Sequence, residues 1–288
     1  MTSNSRSCLL VVHPHREEAL KAAESFTEQL TKNGFDVFAN IQVKGAKDFQ
    51  NSQNSEGVKR FEIALVLGGD GTILRAAELV KDQQTPILGV NLGHVGFLAE
   101  IAKPSIAEVV AAIKVRDYKT EDRMILNFKL LRAGKEIANG WALNEVTIER
   151  NDHQMIEVFA QIDHRPLSRW GCDAVICATP TGSTAYAFSA GGPVVWPEVD
   201  ALVLVPLAAH ALFARPMVIS PKSEVVIDLE SDSADLNADG LRRIKLQLND
   251  RVILTSDQAD VKLAHIKSAN FADRLVAKFK LPVEGWRG

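Results

Sequence analysis

The chain has 288 residues, 46% hydrophobic and 24% charged, which is the make-up of a soluble globular protein long enough for two domains. Its 33 basic and 36 acidic residues leave a formal charge of −3, so nothing draws it as a whole to nucleic acid or to an anionic membrane, and no stretch approaches the roughly 20 apolar residues that span a bilayer. Three cysteines without metal-ligand spacing, Cys8, Cys172 and Cys177, fit a reducing cytoplasm, and the early apolar run over 8–12 is too short for a signal-peptide core.

Residues 8–12 predict a β-strand. Ala19, Leu20, Ala23, Phe26 and Leu30 then recur at helical spacing over 17–33 before Gly34 stops the helix. A second strand is expected at 35–38, a polar surface loop at 50–57, a fully apolar strand at 63–67, a helix at 72–81 and a further strand at 86–90. This alternation predicts a mainly parallel sheet flanked by helices. After about Asp122 the period becomes two: Ile156, Val158, Ala160 and Ile162 face one way, and Val225, Ile227 and Leu229, then Ile244, Leu246 and Leu248, then 251–255, repeat the pattern. Asp239-Gly240 and Asn249-Asp250 supply turns between them. The expected fold is an α/β N-terminal domain with a mainly parallel sheet, followed by a mainly β, sandwich-like C-terminal domain. The expected bounds are 1–122 and 123–270, with a short helix over 271–279 in a last segment, 271–288, that packs back onto the first domain.

Gly68-Gly69-Asp70-Gly71-Thr72 joins the apolar strand at 63–67 to the next helix. Such a turn presents successive backbone N–H groups and a positive helix end, which suits an anion. A carboxylate is misplaced there if phosphate binding is its only task, but well placed to take a proton from a hydroxyl while the amides hold phosphate. Helix capping is the plainer role for Asp70, yet a cap does not need three surrounding glycines. No Lys follows the last glycine as in a Walker A loop, and the dinucleotide fingerprint is absent, which disfavours hydride transfer. The run over 179–193 concentrates the hydroxyls of Thr181, Ser183, Thr184 and Ser189 with the flat ring of Tyr186, between apolar segments at 174–178 and 201–205. That combination reads as a nucleotide pocket. His13 and His15 bracket Pro14 without a third metal ligand at suitable spacing, so they read as a loop and no protein metal site is expected.

In order and spacing these motifs resemble the NAD kinases of the bacterial type, in particular actinobacterial ones. The resemblance rests on 68–72, on Asn91-Leu92-Gly93-His94-Val95-Gly96-Phe97-Leu98, on Asn144-Glu145, on 179–193, and on His210-Ala211-Leu212-Phe213-Ala214-Arg215-Pro216, so it spans nearly the whole chain. It implies phosphoryl transfer from ATP or inorganic polyphosphate to the 2′-hydroxyl of the adenosine ribose of NAD, in a site between the two domains. Asp70 is then the proton acceptor; Gly68, Gly69, Gly71 and Thr72 hold phosphate, Gly71 also lying beside NAD, and Arg75 neutralises phosphate charge. Phe97 flanks the adenine. Asn144 and Glu145 contact ribose or base, though neighbours on a strand point to opposite faces and need not share a role. Asp173, Thr181, Thr184, Ala185, Tyr186 and Ser189 line the dinucleotide pocket, with a smaller contact from Ala208. Ala174 stands where the family keeps a glycine, which restricts the backbone at that turn, and Leu241 replaces a polar residue after Asp239-Gly240. The resemblance further implies Mg²⁺ or another divalent cation bound to the phosphate donor, and a homo-oligomer, tetramer or dimer. A lipid kinase of the diacylglycerol type and a silent NAD(P)-binding regulator are the rival readings; the intact Asp70 weighs against the second.

Overall fold

The computed structural model describes residues 6–50, 60–92, 96–99, 104–267 and 270–284. Most of the predicted polar loop, 51–57, and Gly93, His94 and Val95 of the second glycine segment lie outside them. The chain divides into two compact units, Met1–Asp122 with Val261–Gly288, and Arg123–Asp260.

The first unit is built on β1 (Arg6–Val12), β2 (Phe35–Ala39), β3 (Lys47–Asp48), β4 (Ile63–Leu67) and β5 (Ile87–Val90), ordered β5-β4-β1-β2-β3 and all parallel. β1, β4 and β5 are near-continuous apolar runs because helices cover both faces of a parallel sheet. Helix α1 (Glu17–Lys32) buries Ala19, Ala23, Phe26 and Leu30 and ends where Gly34 takes φ +85, a left-handed value that suits glycine. Helix α2 (Asp70–Val80) starts two residues before the expected position and passes at Lys81 into a single 3₁₀ turn. Helix α3 (Ile106–Val115) was not anticipated, although Ser105 and Glu108 form a reciprocal capping box at its start. Residues Cys8, Leu10 and Val12 of β1 share a core with Phe26 and Leu30 of α1 and Val109, Val110 and Ile113 of α3.

In the second unit β6 (Lys119–Arg132) pairs with β7 (Lys135–Ala142), and β9 (Ile156–Ile162), β10 (Arg165–Cys172) and β14 (Val225–Leu229) form an antiparallel ladder that continues into β17 (Arg251–His265). A second antiparallel sheet runs in the order β13 (Met217–Ile219), β12 (Leu202–Leu207), β11 (Ala174–Ala178), β8 (Glu145–Glu149), β15 (Ser233–Ala238), β16 (Arg242–Gln247). Phe128, Val158, Trp170, Val225 and Leu254 from the first ladder meet Val146, Cys177, Leu204 and Leu236 from the second in one apolar core, which makes the unit a sandwich. β17 is far longer than the expected 251–255; from Val261 on it belongs to the first unit, within which Leu263 and Ala264 pair with β5. Leu248 breaks the expected alternation: it lies beyond β16, in a turn, and is 48% exposed. Two short elements interrupt the chain before β12, a 3₁₀ turn over Thr181–Thr184 and a one-turn helix α4 (Tyr186–Ser189). The last helix, α5 (Phe271–Phe279), has the expected bounds.

Cys8, Cys172 and Cys177 are free and buried, and burial pushes each thiol up to about 12, which keeps the nucleophilic thiolate out of reach. Among the described residues no helix is long and apolar enough to cross a membrane.

Candidate functional site

Asp70 is the first residue of α2, and its side chain makes no capping bond; Gly69 occupies the cap position in extended backbone. The carboxylate instead turns toward the strip 96–99. Oδ2 accepts the N–H of Phe97 at 2.9 Å and Oδ1 that of Leu98 at 3.2 Å. Each oxygen keeps a second lone pair, so the group is anchored yet can still take a proton.

The surrounding glycines do different work. A Cβ on Gly96 would fall 2.2 Å from Asp70 Oδ1, and one on Gly68 would fall 2.3 Å from Thr72 Oγ1, so both positions are held small by close approach. A Cβ on Gly69 or Gly71 would meet nothing within 4 Å, so internal packing does not demand glycine at either. Thr72 is buried, whereas Arg75 is exposed one turn along α2. Phe97 is only 9% exposed, its ring packed on Phe271 and Phe279 of α5, so little of it is presented to a base. The His13 ring nitrogen Nδ1 accepts the His15 N–H at 3.3 Å, as befits a loop. Burial, the largest cause, and the neighbouring Arg16, His15 and Arg75 hold His13 below the usual histidine value.

In the second unit the hydroxyl-rich run separates into two sets. Thr179 and Ser183 are fully buried and bond only to the protein: Thr179 Oγ1 donates to Leu143 O at 2.6 Å and accepts Gly182 N–H, while Ser183 Oγ donates to Pro180 O and accepts Val195 N–H. The expectation that Ser183 serves a ligand is thereby corrected, because a buried hydroxyl must spend its bonds internally. Thr181 is also buried and lies 3.4 Å from Nη1 of the buried Arg123. Thr184 and Ala185 are half-buried; Tyr186 and Ser189 are exposed.

Asn144 directly precedes β8, and Glu145 opens it. Glu145, Thr147 and Glu149, at every second position, share one face and line a pocket of about 360 Å³ with Tyr186, Asn237 and Arg243. Sequence reading missed Thr147 and Glu149, although their period-two spacing from Glu145 was available. Asp239, in a left-handed turn at φ +54, accepts the backbone N–H groups of Leu143, Asn144 and Glu145 at 2.7, 2.7 and 3.3 Å. This carboxylate, 94 to 96 residues away in sequence, fixes how β8 begins.

Asp173 lies between β10 and β11 with Oδ1 3.3 Å from Arg150 Nε. Ala174 adopts no positive φ, so the absence of glycine there costs the backbone nothing; the left-handed residue is instead Ala208, at φ +51. Burial, chiefly, raises the Tyr186 phenol, assisted by Glu149, Asp173 and Glu145.

Burial pushes the Glu145 carboxyl up to about 8, with the Asp239 charge adding to the rise and a backbone bond from Tyr186 opposing it. Its Oε2 is buried and has no hydrogen-bond partner among the described residues. Below about 4.5 both the folded and the unfolded chain hold this proton; between about 4.5 and about 8 only the folded chain does, so stability falls as pH rises through that window. Glu145→Gln should therefore lose less melting temperature than wild type between about pH 5 and about pH 8. Parallel pH profiles for the two proteins would refute the assignment.

Two family models match the chain, that of the ATP-NAD kinase N-terminal domain over residues 8–118 and that of the ATP-NAD kinase C-terminal domain over 143–266. An NAD kinase of Thermobifida fusca (strain YX) is 45% identical over 303 residues, covering 99% of this chain and 93% of its own. Among solved structures, yeast NADH kinase complexed with NADH superposes with a TM-score of 0.84 at 23% identity, covering 97% of this chain and 88% of its own, a likeness of fold. An NAD kinase from Archaeoglobus fulgidus in complex with ATP gives a TM-score of 0.69 at 25% identity, with 96% and 98% covered.

Proposed function

The chain belongs to the ATP-NAD kinase family, and on that premise we propose that Asp70 is the general base that removes the proton from the 2′-hydroxyl of NAD's adenosine ribose. As an NAD kinase the enzyme joins that hydroxyl oxygen to the γ-phosphorus of ATP and forms NADP. The O–H bond gives its proton to Asp70 as the new P–O bond forms, and the bond from the γ-phosphorus to its bridging oxygen breaks to release ADP. The observation that carries this reading is the Asp70 carboxylate itself, turned away from helix capping and pinned by the amides of Phe97 and Leu98.

Gly69 and Gly71 leave backbone N–H groups approachable at the start of α2, where the helix dipole favours anionic phosphate. Arg75 adds an exposed guanidinium one turn further on. Asp70 is the sole carboxylate of this turn, and no group of three His, Cys, Asp or Glu stands together among the described residues. These donors suit a magnesium ion that arrives on the triphosphate as part of the substrate. In the second unit the half-buried Asn144, the buried carboxyl of Glu145, Asp173, and the segment Thr184, Ala185, Tyr186 and Ser189 offer hydroxyl-binding and ring-stacking groups for NAD. Ala208 contributes a smaller contact.

The test is to incubate purified protein with NAD⁺, Mg²⁺ and either ATP or polyphosphate and to assay NADP⁺. Product with ATP is expected, and product with polyphosphate would widen the donor range. Phosphorylation of diacylglycerol but not of NAD⁺ would favour a lipid kinase, and tight dinucleotide binding without product from any donor would favour a silent regulator. The same preparation should sediment as a homo-oligomer, in keeping with large apolar side chains left exposed on the second unit, among them Trp196, Leu212 and Phe213. We assign the enzyme to the cytoplasm, whose reducing conditions suit its free thiols.

A further inference from the structure

Helix α5 is exposed or half-buried along its length except at one residue, and that residue is charged: Arg274 is 3% exposed. Its Nη1 donates to the carbonyls of Phe97 at 3.0 Å and Ala99 at 2.5 Å, and its Nη2 lies 3.3 Å from His265 Nδ1. A guanidinium has no acceptor, so Nδ1 must be the accepting nitrogen, and the ring proton sits on Nε2, 3.4 Å from Glu121 Oε2. The rings of Phe271 and Phe279, on either side of Arg274 in α5, hold the Phe97 ring at 6.0 and 5.7 Å.

The strip gripped by α5 is the one that grips Asp70. Carbonyls of 97 and 99 point to Arg274, while the N–H groups of 97 and 98 point to the Asp70 carboxylate. We infer that Arg274 is a positioning residue for phosphoryl transfer: it fixes the strip from behind, so that two amides hold Asp70 at a constant place and orientation. The inference rests on the reading of Asp70 as the base.

The chemistry explains why a charge is used at this position. A buried guanidinium is costly unless its donors are met, and two carbonyls with an imidazole meet them only when the strip is in register. Nη1 alone meets both carbonyls while Nη2 of the same planar group reaches the imidazole, a two-nitrogen span that the single ammonium of lysine cannot reproduce. Donation into the carbonyls of an amide strip also polarises the strip and strengthens its donation to a carboxylate.

Arg274→Lys, Asp70→Asn and the double variant test this. With ATP and NAD⁺, Arg274→Lys should lower kcat about tenfold or more, as small misplacements of a reacting group do, and leave KM for NAD within about twofold. In the Asp70→Asn background the same change should lower kcat by less than about twofold, because the group it positions is already gone. Hydrogen exchange at the Phe97 and Leu98 amides should quicken in Arg274→Lys while α1 amides stay as in wild type. Phe279→Leu loosens the same strip without burying a new polar group and should show the same kcat-only loss, which keeps the test open if Arg274→Lys does not fold. Unchanged kcat in a folded Arg274→Lys, or losses that multiply in the double variant, would overturn the positioning role. Near-normal turnover of Asp70→Asn by itself would instead overturn the base assignment.

Discussion

Asp70→Asn is expected to lower turnover by about 10²- to 10⁴-fold, the usual contribution of a positioned general base, or about 3–5 kcal/mol of barrier. Two effects combine. The amide lacks the basic oxygen proposed to receive the ribose proton. It also puts an NH₂ group where one of two backbone N–H donors now points, at 2.9 or 3.2 Å, so two donors face each other and either the side chain or the 96–99 strip must turn away. Dinucleotide affinity should change little, because the groups proposed to hold NAD sit mostly on the second unit. Steady-state kinetics paired with calorimetric NAD binding reads both quantities. Turnover near that of wild type would end the proposed mechanism.

Gly182→Ala is expected to cost stability and dinucleotide binding together. A Cβ at this position would fall 2.0 Å from the Asn144 carbonyl oxygen, 2.4 Å from its carbon and 2.7 Å from its Cα, all of them backbone. No rotamer change relieves such a contact, and neither side can retreat freely. Thr179 N–H donates to that same Asn144 oxygen at 2.9 Å, and Thr179 Oγ1 joins Leu143 O to Gly182 N–H. The added methyl must therefore push the 3₁₀ turn away from the start of β8, at a cost of about 1–3 kcal/mol, which is several degrees of melting temperature. Asn144 and Glu145 ride on one displaced segment and Tyr186 follows the other, so NAD affinity should fall with the melting temperature. An alanine variant with wild-type melting and wild-type affinity would show that the two segments can separate at no cost.

Much of the scaffold was legible because it follows from local rules. The apolar runs of β1 and β4, the spacing of Ala19, Ala23, Phe26 and Leu30, and the stop at Gly34 each reflect backbone geometry over a few residues. The capping box of α3 and the shared face of Glu145, Thr147 and Glu149 were equally local and went unread. Arg274 was not legible: inside an amphipathic helix a charge is expected to face water, and only the carbonyls of Phe97 and Ala99, 177 and 175 residues away, account for its burial.

The order and spacing of the glycine-aspartate turn, the paired Asn144-Glu145 and the hydroxyl-rich run belong to the chain alone, and they suffice to bring the family within reach. Which of those polar groups ties the backbone together and which is left to meet a ligand was decided by tertiary structure. Thr179, Ser183 and Asp239 bond inward, whereas Asp70 is held with lone pairs to spare. The physical reason is that a hydroxyl or carboxylate has the same bonding capacity in either role, and its partners are brought to it by contacts far apart in sequence.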